Sequence, residues 1–543
     1  MGGQSDRTLP HLAGSPFLEK PPLSYWMSAA GIAAFGDSAG GARAPNLLYA
    51  LVTACAVAAL ALALGLEVRA ALIATLVAGS ALTAFRVSSW LAPDACLLAG
   101  NALALLGLWR GYRAPPGKLK ALGYTLMHLG AAIGFMAKSA PGWLVPGLAF
   151  ATLVAWERRW SELRRWELYA GFLLQALIIV PWLLAVARGA QGAEALRTLF
   201  WNNTMGRFTR LSAPAAIDYT SGHRNRPGKY FLELPLYLLP WTLLAVAALA
   251  RAARAARARD AQATAWRFAL ACSVPLLAVL SLAATARDIY AAPALLGFAL
   301  LIGLWSRAAQ GAPTRLDLAC VTGTRWLVAL IDLGLIAVLV VLVLATAAPA
   351  VAGAAASVAI LACALPALRH AAASQARGEL AQSLAGAYIA YAAALAASAL
   401  VVFPVIDRGQ DLGALARQIR ADTRGQPLAL LNPDETTLAV IDHGFRGAFT
   451  VLKREDPSVV RGWFRARGSD ARLLVLLPGH AAGALTRWLE RWHSAPAPGD
   501  GLAGSLVASR TAALVQRYEL PQGRRYALLG PPDPAPSTPP TSD

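Results

Sequence analysis

The sequence predicts a polytopic α-helical membrane protein with a small α/β domain at its C-terminal end, and three observations predict it. Of 543 residues, 57% are apolar and only 15% charged, where soluble domains usually carry about 25% charged residues; mean hydropathy is +0.49. The Lys and Arg residues behind the net charge of +19 fall between apolar runs, where a membrane protein places them; nucleic-acid binding would put them in a stripe on a polar domain. From about residue 405 the texture changes to short apolar runs alternating with amphipathic ones. These features exclude an ordinary soluble enzyme, a disordered chain and a nucleic-acid-binding protein.

A span needs about 20 mostly apolar residues. Runs of this kind fall at 46–65, 68–84, 91–109, 121–137, 141–156, 167–187, 229–250, 266–285, 288–305, 326–349, 351–367 and 383–404, twelve in all. Several are short or closely spaced, 141–156 and 351–367 most of all. Alternate loops are basic: Arg110, Arg113, Lys118 and Lys120; Arg158, Arg159, Arg164 and Arg165; Arg251, Arg254, Arg257 and Arg259; Arg307, Arg315 and Arg325. Short basic loops stay in the cytoplasm. The complementary short loops carry little beyond Arg86, Lys138 and Arg287. Both chain ends and the large 188–228 loop are then expected outside. Residues 1–45 form an external loop that lacks signal-peptide character, so a further span upstream is expected to carry it across the membrane.

Residues 405–530 are expected to form a soluble α/β domain. Asp411–Thr423 reads as a helix through Leu412, Leu415 and Ile419, and Pro427–Leu431, Ala448–Leu452 and Ala471–Leu477 have strand length. Amphipathic stretches at 457–466 and 481–493 lie between or after them. The Pro/Ser/Thr-rich residues 531–543 read as a disordered tail. The five cysteines show no C-x-x-C spacing, so neither a disulfide framework nor a zinc cluster is expected.

The segment that points to chemistry is Phe17-Leu-Glu-Lys-Pro-Pro-Leu-Ser-Tyr-Trp26. A Glu-Lys pair precedes a backbone-fixing Pro-Pro, and Tyr25 and Trp26 are aromatics of the kind found at headgroup level. Either Pro21-Pro22 aim Glu19 and Lys20 at a lipid phosphate, or this is an interfacial helix whose charges face water. Only six Lys occur in the chain, and Lys20, Lys138 and Lys229 fall on the expected external face with Arg207, Arg224, Arg226 and Arg287. Such cations are tolerated where an anionic group compensates them; the alternative is snorkelling at span ends. His128, inside an apolar run, reads as a hydrogen-bonded core histidine, and Asp332 as a span-end residue facing water or a loop.

Glu19-Lys20-Pro21-Pro22-Leu23 with Tyr25-Trp26, preceded by Pro10-His-Leu-Ala-Gly14, resembles the first external loop of bacterial lipid A aminoarabinose transferases. It is similar to the wider set of GT-C glycosyltransferases that use polyprenyl-phosphate-linked sugar and are related to the protein O-mannosyltransferases. Arg43-Ala-Pro45, Pro93-Asp94, Gly134 to Lys138 with Pro141, Pro181-Trp182, Arg207-Phe208, His223, Pro227, Tyr230 and Arg287-x-x-Tyr290-x-x-Pro293 agree in order, from about residue 8 to 300.

The resemblance implies about thirteen spans and a catalytic Asp in an Asp-Glu-type motif upstream of Glu19. Asp6 is too close to Pro10 to match that motif, so the N-terminus reads as truncated, through a misassigned start or a gene fragment. The resemblance further implies a sugar transferred on the outer face of the bacterial inner membrane from polyprenyl phosphate to lipid A, another glycolipid or a protein. Lys20, Lys138, Arg287, Tyr290, Arg207 and Arg226 would hold the donor phosphate. Glu19 or Asp94 would substitute for the upstream base. Glu19 and His223 would be ligands of a divalent metal such as zinc, but two ligands do not specify a site, and a structural, hydrogen-bonding role for His223 ranks ahead of the metal. No nucleotide site is expected. The rival readings are a transporter or lipid flippase, which would favour repeats and polar midplane residues, and a truncated, inactive transferase.

Overall fold

The structure, a computed structural model, describes residues 8–17, 20–189, 192–205, 225–283, 287–345, 350–409, 411–423, 425–445, 447–453, 455–480, 501–520 and 524–532. After the hairpin β1 (His11–Leu12) and β2 (Ser15–Pro16), helices follow in series: α1 (Leu23–Phe35), α2 (Ala39–Arg43), α3 (Pro45–Ala63), α4 (Val68–Ser80), α5 (Leu82–Ser89), α6 (Asp94–Arg113), α7 (Lys118–Lys138), α8 (Pro141–Glu157), α9 (Trp166–Tyr169), α10 (Phe172–Arg188) and α11 (Gly192–Arg197). A π-helical stretch, Thr198–Met205, precedes α12 (Lys229–Tyr237), α13 (Thr242–Ala255), α14 (Ala261–Ala271) and α15 (Val274–Leu282). A 3-10 turn, Asp288–Ala291, leads into α16 (Ala292–Gly311), then α17 (Arg315–Ala345), α18 (Ala350–Ala376), α19 (Leu380–Ala397) and α20 (Phe403–Gly409).

All twelve apolar runs are helical over most of their length. Among the described residues, seven helical stretches are long and apolar enough to cross a membrane: Ala39–Ala63, Trp166–Arg188, Gln262–Leu282, Asp288–Gly311, Arg315–Leu344, Val351–Ala376 and Leu380–Thr423. The pair α4–α5, bent by 60°, makes up to eight. This is a polytopic membrane protein. In α6 and α7 charged, Gly and Asn residues dilute the apolar run, yet both helices are buried along most of their length. A helix enclosed by protein does not need the continuous apolar surface of one facing lipid.

Two expectations are corrected here. The loop assigned to Arg307, Arg315 and Arg325 is shorter than expected, because α17 begins at Arg315, and Arg325 bonds the Gln375 amide oxygen at 2.8 Å. Asp332 does not face water: it lies within α17, 4% exposed, and neither carboxylate oxygen has a hydrogen-bond partner among the described residues. Both errors have one cause, since a helix that starts before its apolar run carries polar residues that read as loop.

The chain divides into two compact units. The first comprises the described residues of Met1–Pro10, Phe17–Ile331 and Ala364–Tyr391. Its centre is α16, part of a stretch 94% buried, together with the antiparallel pair α6–α7. A Cβ on Gly107 would stand 2.2 Å from the Met127 backbone nitrogen, and one on Gly123 would stand 2.3 Å from that of Gly111. Small residues of this kind let two backbones approach.

At the end where α6 turns into α7, ion pairs fasten the helices. Lys120, 1% exposed, donates to the Gly111 carbonyl and the Glu162 carboxylate, both at 2.8 Å. Tyr124 and Arg159 bond the same carboxylate at 3.0 and 2.5 Å. Lys120 is therefore not a loop cation facing water but part of a closed network. Arg251 pairs with Asp317, which also accepts from the Trp305 indole at 2.7 Å, and Arg267 pairs with Glu157 at 2.8 Å.

The second unit comprises the described residues of His11–Pro16, Asp332–Cys363 and Ala392–Asp543. It holds a five-stranded sheet in the order β4 (Thr450–Leu452), β3 (Leu428–Leu431), β5 (Arg472–His480), β7 (Arg524–Gly530), β6 (Ala513–Glu519). The first three strands are parallel and β7 and β6 antiparallel. Successive strand residues point to opposite faces. Ala429, Leu431, Leu473 and Val475 pack under α23 (Pro457–Arg467) and α24 (Gly501–Ala508). Leu428, Leu430, Leu474 and Leu528 pack under α21 (Leu412–Thr423) and α22 (Glu435–Phe445). The Ala13 amide donates to Asp442 of α22 at 3.0 Å. The amphipathic stretch 481–493 and nearly all of the 531–543 tail lie outside the described residues.

Candidate active site

One end of the first unit brings together residues from distant parts of the sequence. Asp94 opens α6 and Lys138 closes α7. Because the two helices run antiparallel in close contact, the start of one meets the end of the other. The Lys138 ammonium forms a salt bridge with the Asp94 carboxylate and stands 4.0 Å from the centroid of the Tyr290 ring. Lys138 and Asp94 are both buried; such charges are stable together and costly apart, and the aromatic face adds further attraction for the cation. The chain turns sharply after Lys138, with Ser139 at φ +66°. A Cβ on Gly142 would meet the Phe135 nitrogen at 2.1 Å, so only glycine lets α8 return this close to α7.

Tyr290 sits on the 3-10 turn before α16, and two contacts fix that turn. Asp288 pairs with Arg86 of α5 at 2.5 Å, and the Arg86 guanidinium lies 4.9 Å from the Trp90 ring. Tyr230 of α12, fully buried, donates its hydroxyl to the Arg287 carbonyl at 2.7 Å. Asn225 donates to the carbonyls of Leu280 and Ala283 at 2.8 and 2.7 Å, which places Arg226 beside the end of α15. The Arg226 and Arg287 side chains are exposed.

Lys20 reaches the same end through its neighbours. The Trp182 indole donates to the Thr8 carbonyl at 2.9 Å, and Phe17 N–H to the Pro10 carbonyl at 2.7 Å. Leu9 and Leu23 pack against the cluster of Phe135, Met136, Ile179 and Trp182. Leu23 is three residues beyond Lys20, and Met136 two before Lys138.

The Asp94–Lys138 and Lys138–Tyr290 contacts join positions singled out one by one from the sequence. The Arg86–Asp288 pair was not anticipated; its signal was an acid beside Arg287, with Arg86 nearly alone in another short loop. His128 is a satisfied core residue, its ring nitrogens 2.7 Å from the Gln175 amide and 2.8 Å from the Leu168 carbonyl. Glu19, Arg207, His223 and Arg224 lie outside the described residues. Among the described residues no three His, Cys, Asp or Glu side chains gather to hold a metal ion.

Residues 4–196 match the family of dolichyl-phosphate-mannose-protein mannosyltransferases. The chain is 31% identical over 304 residues to an undecaprenyl phosphate-alpha-4-amino-4-deoxy-L-arabinose arabinosyl transferase of Pseudomonas aeruginosa, 56% of this chain and 52% of that protein. It is 30% identical over 250 residues to the protein of the same description from Edwardsiella ictaluri, 46% of this chain and 43% of that protein. The chain spans about half the length of the curated relatives it matches. The fold of ArnT from Cupriavidus metallidurans, crystallised bound to undecaprenyl phosphate, superimposes with a TM-score of 0.68 at 18% identity, covering 96% of this chain and 90% of that one. Residues 4–196 are thus similar to the protein-mannosyltransferase family, and the chain resembles aminoarabinose transferases in sequence over about half its length and ArnT in fold.

Proposed function

We propose that the chain is a membrane glycosyltransferase that takes a sugar from a polyprenyl-phosphate carrier and passes it to a lipid A-type glycolipid on the outer face of the bacterial inner membrane. The observation that carries this reading is the buried Asp94–Lys138 pair under Tyr290. Lys20, Asp94 and Lys138 all fall inside the stretch that matches the mannosyltransferase family. In the topology this reading takes, the chain has twelve spans, and the 188–228 loop and the 405–530 domain lie on the outer side.

In the reaction, the bond between the sugar's anomeric carbon and the carrier-phosphate oxygen breaks, and its electron pair leaves with the phosphate. The acceptor hydroxyl oxygen bonds the anomeric carbon, and its proton goes to a carboxylate. Lys138, Lys20, Arg287, Arg226 and Arg207 supply positive charge where the leaving phosphate becomes negative, and Tyr290 a hydroxyl donor. A phosphate arriving beside Lys138 competes with Asp94 for the ammonium. Asp94 or Glu19 then takes the acceptor proton. If a divalent ion such as zinc is used, Glu19 and His223 would be the residues to hold it, and it would supply positive charge to the leaving phosphate.

The test supplies polyprenyl-phosphate-linked sugar and lipid A to membranes holding the chain. Sugar transfer with release of carrier phosphate is expected, and Lys20→Ala is expected to slow it about a hundredfold or more. No carrier release with lipid A, another glycolipid or a protein acceptor overturns the reading. Loss of transfer on chelation, restored by zinc, would assign the metal; unchanged transfer would remove it.

A further inference from the structure

A cavity of about 320 Å³ opens between α4 and α19, floored by Trp241 at the start of α13. It belongs to the opposite end of the first unit from Lys138. Arg307, about 25 Å along α16 from Tyr290 at 1.5 Å per residue, donates to the Gly65 carbonyl at 2.5 Å, and Gly65 stands three residues before the start of α4. The cavity runs along one face of α4, from Arg69 past Leu72 and Leu76 to Val77. Its far wall comes from α19, with Leu384 and Tyr388 apolar and aromatic and Gln382 near the Arg69 end.

The lining is not a loose gap between helices. The Trp241 indole donates to the Ser80 hydroxyl at 3.0 Å, and its ring stacks on Tyr388 with centroids 6.2 Å apart and planes 15° apart. The floor is therefore fixed, and the walls are hydrocarbon. Among the described residues the only charged group in the lining is Arg69, with no acidic residue beside it there. Arg69 forms no ion pair or hydrogen bond among the described residues. The nearby cation Arg377, by contrast, is held by Glu379 at 2.8 Å.

An apolar slot running into the membrane from an uncompensated guanidinium has the shape and charge of one ligand class. We propose that it is a seat for an anionic glycerophospholipid of the leaflet facing away from the Asp94–Lys138 site, with one acyl chain against Leu72, Leu76 and Trp241 and the phosphate on Arg69. Basic pockets between membrane helices recognise lipid headgroups in this way, and 320 Å³ lies at the lower end of ligand-pocket volumes of about 300–1,000 Å³. The carrier lipid of the proposed reaction would act at the other end of α16, so this seat is separate from it.

The test is native mass spectrometry of the full chain, purified in detergent and delipidated, then exposed to vesicles of phosphatidylglycerol or of phosphatidylcholine. One retained phosphatidylglycerol per chain is expected, with little phosphatidylcholine. Arg69→Gln should lower retention about fivefold, as one cation near a lipid surface contributes about 1 kcal/mol, and Arg69→Lys should keep most of it. Ala385→Trp, which fills the slot, should abolish retention while the elution volume and helical circular dichroism stay unchanged; if that variant fails to fold, Leu76→Phe takes its place. Equal retention of both lipids, retention unchanged in Arg69→Gln, or a polyprenyl phosphate as the sole adduct would overturn the proposal.

Discussion

Asp94 and Lys138 form a buried ion pair that ties the first residue of one central helix to the last residue of the next. Removing one partner leaves the other charge buried and uncompensated. Lys138→Met is therefore expected to destabilise the chain by about 3–5 kcal/mol. The double variant with Asp94→Leu should recover most of that loss. Thermal unfolding of the two purified variants in detergent checks this; equal losses would mean that the pair contributes no coupling.

The α6–α7 contact leaves no space at Gly107, where a Cβ would meet the Met127 nitrogen at 2.2 Å. Gly107→Ala should therefore push the helices apart, separate Asp94 from Lys138 and sharply lower the yield of folded protein. At Gly147 of α8 a Cβ would find nothing within 4 Å. Gly147→Ala should be neutral or stabilising by up to about 1 kcal/mol, since alanine suits a helix interior better. Size-exclusion yield of the two variants compares them directly.

Asp332 is buried without a hydrogen-bond partner for either oxygen among the described residues. A polar group so placed costs about 1–3 kcal/mol. Asp332→Leu is accordingly expected to raise the melting temperature, and a fall would show that the carboxyl is satisfied by a group outside the described residues.

In the α/β unit, burial alone would raise the Asp434 carboxyl, but the Arg524 guanidinium and the Thr437 amide hold it below the usual carboxylate range. A depressed carboxyl contributes stability that is present above its unfolded value of about 4 and is lost as pH falls through the lower folded value. Unfolding of the unit should therefore become easier below about pH 4. Because Asp434 is 40% exposed, Asp434→Asn should remove no more than about 1 kcal/mol of that acid dependence. Denaturant titrations of the full chain at pH 3 and 7, followed by amide exchange of Leu428–Leu431 and Arg472–Leu477, measure it.

The positions of the helices were legible because a span announces itself as an apolar run. Their ends were not, and α17 shows why: its first turns carry Arg315, Asp317 and Arg325, and the partners of Asp317 and Arg325 come from other helices. The β6–β7 hairpin was missed because β6 is an edge strand whose residues, apart from buried Tyr518, are exposed or half-buried without regular alternation, and its short apolar start at Ala513–Val515 gives way at once to Gln516 and Arg517. Lys138, Asp94 and Tyr290 were each singled out from the sequence. That Lys138 would be held by Asp94 could not be read there, because the pairing depends on how closely two helices approach, and the two residues stand 44 apart in the chain. The glycines that set this approach look, one by one, like ordinary helix-weakening residues.

The ion pairs of Lys120, Arg251 and Arg267 are all at the end of the helices remote from Tyr290. The Tyr290 end is fastened differently, by the single buried Asp94–Lys138 pair and the half-exposed Arg86–Asp288 pair. Amide exchange is expected to be slow near both Gly111–Tyr124 and Asp94, and a charged lipid that competes for Lys138 is expected to speed it at Asp94 while leaving Gly111–Tyr124 unchanged.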